Sequence, residues 1–197
     1  MTELRSTITD AAIETFRGER FASVSPETVA ERAGVPVAEV SRAFPVWELL
    51  VVAVVNRWQG ASRRALRSVA EQDGTVAYLR AMLEDAAADP AMVRVRLAVL
   101  VAASEPTYPA SGWYRQQYDA FVQDVGLFLT RDVIGHREPR TMSAASAAHQ
   151  LTALYEGLQL QHALGAVTDL LPTWDRAVAR FRWGWNTAYA PPATPAP

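Results

Sequence analysis

Three histidines, His136, His149 and His162, are the side chains of this 197-residue chain that ordinarily titrate near neutral pH. There is no cysteine, which excludes disulfides, thiolate metal sites and cysteine nucleophiles. Tyr155 and His162 lie two helical turns apart and would make an acid–base pair in a buried cavity; His149 and Glu156 have the same spacing. No two histidines and a carboxylate fall at metal-ligand spacing, and neither a Gly-rich phosphate loop nor a nucleophile elbow occurs. Catalysis is therefore the weaker expectation, and no cofactor or metal is expected.

Ligand binding has a better signal. Thr152, Tyr155, Gln159 and His162 fall within an arc of roughly 80° on a helical wheel, on an otherwise apolar helix. Spaced polar groups on an apolar wall suit a pocket that orients a small hydrophobic molecule. Trp58, Tyr78 and Met82, with Trp113, Tyr114, Tyr118 and Phe121, are the other candidate walls. The competing reading makes all of them ordinary core residues.

A second constellation has the spacing of a nucleic-acid reader. Ala30, Gly34 and Val40 are separated by three and five residues, the pattern of two short crossed helices. Ala30 keeps the crossing close, and Gly34 supplies a left-handed corner. Val29, Val35 and Val40 would close a small core against the first helix. The second rod would present Val37, Ala38, Glu39, Ser41 and Arg42 to a major groove, with Thr28 and Trp47 beside the backbone.

The elements that must position these groups all read as helix. Apolar periodicity predicts helices near 4–16, 26–33, 37–44, 46–69, 75–88, 90–103, 110–134, 141–166 and 173–188, with no strand. Ser25 and Pro26 would open the second helix and Gly34 close it. The 141–166 helix carries two apolar stripes, one of them Ala153, Gly157, Leu160 and Leu164. One stripe can face the chain's own core and the other a second chain. The last helix adds Trp174, Val178, Phe181 and Trp185, so a two-fold homodimer through a four-helix interface is expected.

All 19 basic residues are arginine, and the net charge is −2. The first 58 residues carry six arginines against eight carboxylates, a sum of −2 on the part expected to meet a polyanion. The first 20 residues show no apolar stretch of signal-peptide type, and no run is long enough to cross a bilayer, so a cytoplasmic protein without membrane contact is expected.

The stretch "ITDAAIETFRGERFASVSPETVAERAGVPVAEVSRAFPVWELLVVAVV" resembles the N-terminal module of the TetR family of transcriptional regulators. The resemblance rests on Ala11, Ala12 and Phe16, on "VSPETVAERAGV", and on Phe44-Pro45 and Glu48-Leu49. It is architectural beyond residue 55, where "LYEGLQLQHAL" and a last helix are similar to the family's dimer-forming end. It implies an all-α fold of about nine helices: a helix-turn-helix module over 1–48, a regulatory and dimerisation domain over 49–189, and a disordered Pro-rich tail over 190–197. It also implies a repressor that binds operator DNA as a dimer and answers a small effector. The reading helix departs from the family pattern, with Val37 for a polar or cationic residue, Ser41 for a tyrosine and Trp47 for a lysine. A TetR-like fold that has lost DNA binding, and serves as a ligand-binding, partner-binding or catalytic protein, is the alternative.

Overall fold

The computed structural model describes residues 2–185; the expected tail over 190–197, and the end of the last expected helix, lie outside them. Among the described residues there are ten α-helices and no strand. They are α1 (Thr2–Gly18), α2 (Pro26–Ala33), α3 (Val37–Ala43), α4 (Trp47–Ala65) and α5 (Arg67–Gln72), then α6 (Thr75–Ala87), α7 (Pro90–Ala102), α8 (Ser111–Ile134), α9 (Ala144–Ala163) and α10 (Leu170–Trp185). The single helix expected over 46–69 is two, because Leu66 leaves helical geometry at ψ 2°. Beyond that break α5 packs on α6 and buries Ala70 in a different core. Periodicity could not reveal the break, since helical residues lie on both sides of it.

The α1–α3 module is built by strong local signals. Ser25 and Thr28 form a reciprocal capping box at the start of α2, and Gly34 turns the chain at φ 67°. No atom lies near a Cβ added at Gly34, so the backbone angle alone calls for glycine there. Val29 and Val40 are buried with Ile8, Ala12 and Phe16, as the spacing predicts. This core does not stop at residue 48: it continues through Leu50, Val51, Val54 and Val55 of α4 into Met92, Val95 and Val99 of α7.

A second core joins α6, α8, α9 and α10. Its edge is tied by Asp132 of α8, which accepts from the Thr75 amide at 2.7 Å and the Thr75 hydroxyl at 2.6 Å, capping α6 across the fold. Trp174 and Val178 belong to this core and are buried. Their side chains have no surface left for a second chain. Phe181 and Trp185 pack at the margin of this core, and Trp183 of the same helix is 74% exposed. On α9, by contrast, Ala153 and Leu160 are exposed and Leu164 is 74% exposed. A Cβ added at Gly157 would meet nothing.

Candidate functional site

The α3 surface is well presented and thinly charged. Arg5 holds it from below, donating to the Ala43 carbonyl at 2.7 Å with its guanidinium 4.3 Å from the Phe44 ring centroid. Val37, Ala38, Ser41 and Arg42 are exposed along α3. Arg42 is paired one turn back with Glu39 at 2.6 Å, so the cation of the reading helix is already occupied. Two of the expected DNA-facing residues have other duties. The Thr28 hydroxyl is engaged with Ser25 in the cap. Trp47 is half-buried against Phe16, 6.4 Å between ring centroids, and in turn Phe16 stacks on Phe21. Trp47 thus seats α4 on α1.

The second constellation is a cavity between α4, α7, α8 and α9. Its aromatic side is Trp113, Tyr114, Tyr118 and Phe121 from α8, four of the seven expected wall aromatics and neighbours. The other side is polar: Asn56, Gln59 and Arg63 on one face of α4, with Arg96, Gln117 and Glu156. The enclosed space is about 10 Å³, room for roughly one water.

Arg96 is the centre of this arrangement. It is 1% exposed, on a helix packed against α1, α4, α6 and α9. Its Nη2 lies 2.6 Å from the Glu156 carboxylate and donates to Gln159 at 3.1 Å. Burial lowers the guanidinium pKa, but Glu156 beside it more than offsets this, and the net direction is upward. Arg63 has no carboxylate in contact. Desolvation holds it below the ordinary arginine value, and its guanidinium stands 4.4 Å from the Phe121 centroid. Its Nε, like that of Arg96, is buried without a hydrogen-bond partner.

The remaining expected wall residues are elsewhere. Tyr78 and Met82 are core residues of the α6–α8–α9–α10 cluster, Tyr78 edge-on to Phe128 at 5.6 Å. Trp58 packs on the first core and lines a separate surface cleft with Arg17 and Asp89. Of the four-residue polar line on α9, Gln159 holds Arg96, and Tyr155 is buried behind the cavity, 6.0 Å from Phe121. Thr152 is buried in the core with no partner for its hydroxyl. His162 Nδ1 sits 2.9 Å from the Val167 carbonyl in the turn after α9, so it forms no acid–base pair with Tyr155. His149 is exposed on the outer side of α9 and does not share Glu156's surroundings.

Aromatic spacing and the polar line on α9 do not point to Arg63, Arg96 or the α4 amides. The signal existed. Arg96 interrupts "AMVRVRLAVLVA", a run too apolar for both of its arginines to reach water.

Burial pushes the Tyr114 phenol up to about 12. The folded chain therefore holds this proton more tightly than the unfolded chain, whose phenols ionise near 10. Tyr114's contribution to stability is intact below about pH 10 and is lost as pH rises through about 12. A near-ultraviolet phenolate titration is expected to show a step near 12, shared with the buried Tyr78 phenol and smaller in Tyr114→Phe, that moves to the ordinary range on denaturation; a native titration complete near 10 contradicts this burial.

No protein-family model matches the chain, and no curated protein matches it. Solved structures do. A TetR transcription regulator from Haloarcula marismortui superposes with a TM-score of 0.75 at 14% identity, over 93% of this chain and 98% of that one. FadR of Thermus thermophilus, a TetR-family repressor in complex with lauroyl-CoA, gives 0.67 at 18% identity, over 98% and 100%. The multidrug binding protein EbrR, complexed with ethidium, gives 0.66 at 23% identity, over 90% and 97%.

Proposed function

We propose that this chain, which has the fold of TetR-family transcriptional regulators, is a cytoplasmic one-component regulator, a repressor that binds operator DNA as a homodimer and responds to a small effector. The observation that carries the reading is the span of α4. Its first residue, Trp47, is packed into the helix-turn-helix module, and its Asn56, Gln59 and Arg63 form one wall of the cavity. A molecule that opens the cavity must displace that wall, and the same rod passes the displacement to α1, on which α2 and α3 pack. The ligand thereby shifts a population between two settings of the reading helices. FadR in complex with lauroyl-CoA and EbrR in complex with ethidium support small-molecule binding as the role of this chain.

The dimer face we assign is formed by α8 and α9. Leu127 of α8 is 67% exposed, and Leu160 of α9 and Leu164 just past its end are exposed as well. An open groove between the two helices is lined by Val122, Gly126, Leu127, Ala145 and Ala148, with Gln123, Thr130 and His149 among them. On α10, the other helix expected at the interface, Trp183 is 74% exposed while Trp174 and Val178 are buried.

The second reading, a TetR-like fold without DNA binding, is favoured by the Glu39–Arg42 pair, by Trp47 in the place of a phosphate-gripping lysine, and by the acidic balance of the module. One experiment separates them. Fluorescence anisotropy with fragments of the gene's own upstream region, at low and moderate salt, is expected to show salt-dependent binding. Arg42→Ala is expected to weaken it at least tenfold, since an arginine contact to a base or phosphate contributes about 1–3 kcal/mol. Glu39→Gln is expected to tighten it by releasing Arg42 and removing a repelling carboxylate. Absence of binding by the wild type and by Glu39→Gln alike establishes the second reading.

A further inference from the structure

We propose that the cavity is a site for a small aromatic carboxylate, its anionic group on Arg63 and its ring among Trp113, Tyr114 and Tyr118. The inference rests on the cavity being the effector site, and it names the effector's class. It replaces the expected hydrophobic effector with an amphipathic anion.

The charge balance of the lining is the first ground. Arg63 and Arg96 face one carboxylate, Glu156. Glu156 is committed to Arg96, which Gln159 also holds, so that guanidinium is compensated. Arg63 has a ring beneath it and no carboxylate in contact. Asp124, the acid that acts on it through space, is exposed on the outer part of α8. A half-buried cation without a counter-ion is costly, and a ligand anion removes that cost. A cationic ligand would add to the imbalance.

The second ground is the approach. Asn56, Arg63, Trp113 and Gln117 are shared between the cavity and a wide cleft of about 670 Å³ between α1, α4 and α8. Arg5, Arg57 and Arg64 also line that cleft, Arg57 being paired with Asp10 at 3.1 Å. A concave surface with a net excess of guanidiniums on its walls concentrates anions at the cavity mouth.

The third ground is shape. Flat aromatic walls on α8 suit a flat ring, and the guanidinium fork of Arg63 matches a carboxylate's two oxygens. The amides of Asn56, Gln59 and Gln117 offer neutral donors around it. With space for about one water in the closed form, ring entry requires Trp113 to move. Trp113 is partly exposed at the shared wall and has room to swing into the cleft.

The test is calorimetric titration of the full chain, without DNA, using naphthoate and its neutral isostere naphthamide. Naphthoate is expected to bind at least tenfold more tightly, with a change in tryptophan fluorescence that Trp113→Phe removes. Arg63→Gln is expected to abolish the preference for the acid, whereas Arg63→Lys retains part of it. Equal binding of acid and amide by the wild type, or no heat from either at millimolar concentration, overturns the proposal, and that comparison needs no variant to fold. A preference that survives in a folded Arg63→Gln protein also overturns it. Because DNA is absent, failure of the regulator reading leaves the anion site standing. Naphthoate binding that leaves DNA anisotropy unchanged sinks the effector role alone.

Discussion

Trp174→Ala is expected to destabilise the chain by about 3–5 kcal/mol, with a fall in Tm on the order of 10 °C. Trp174 is 0% exposed and is the largest fully buried side chain among the described residues. Its removal leaves a void where α10 packs on α6 and α9, and close-packed cores collapse only partly around such a void. The comparison variant is Leu160→Arg. Leu160 is 47% exposed, so a charge there costs the isolated chain little. On the proposed α8–α9 face it buries two arginines per dimer without partners, and light scattering is expected to report half the wild-type mass. A Trp174→Ala protein that melts with the wild type and is merely monomeric would place Trp174 at the interface. A Leu160→Arg protein that remains dimeric would remove α9 from it.

Arg96→Ala is expected to cost a comparable amount, about 3–5 kcal/mol, for an electrostatic reason. It leaves Glu156 facing the cavity without its counter-ion, and Gln159 without its donor. The double variant Arg96→Met with Glu156→Leu is expected to recover most of the loss, since it removes both charges and fills the space with apolar atoms. Chemical denaturation of the three proteins checks this. If the single and double variants are equally unstable, Arg96 acts through packing alone. The two arginines of the cavity then differ in their counter-ions: Arg96 is paired with Glu156 and holds α7 to α9, while Arg63 stands over the Phe121 ring without a carboxylate in contact.

The helix-turn-helix was legible because its determinants are local. A serine cap, a proline at the first turn and a glycine at φ 67° each act within four residues of themselves. The break at Leu66 was not legible. It is decided by α5 finding a core on α6, which no short window contains. The α9 and α10 stripes were both read correctly as apolar, yet amphipathicity says only that a face must be covered, not by what. Trp174 and Val178 found their cover inside the chain, whereas Leu160 and Leu164 found none among the described residues.

The cavity follows the same division. That α8 offers aromatics at helical spacing is written in residues 113–121. That four of them meet Arg63 from α4, and Arg96 and Glu156 from α7 and α9, depends on how four rods cross. Residue types and their periods determined which segments are helices, where most of them stop, and which architecture they resemble. Only the packing decided which charged side chains are denied water, because burial is a property of the neighbours a residue acquires from distant parts of the chain. A lone arginine in an apolar run is a surface residue or a buried charge according to those neighbours, and here the difference separates Arg94 at the surface from Arg96 at the centre.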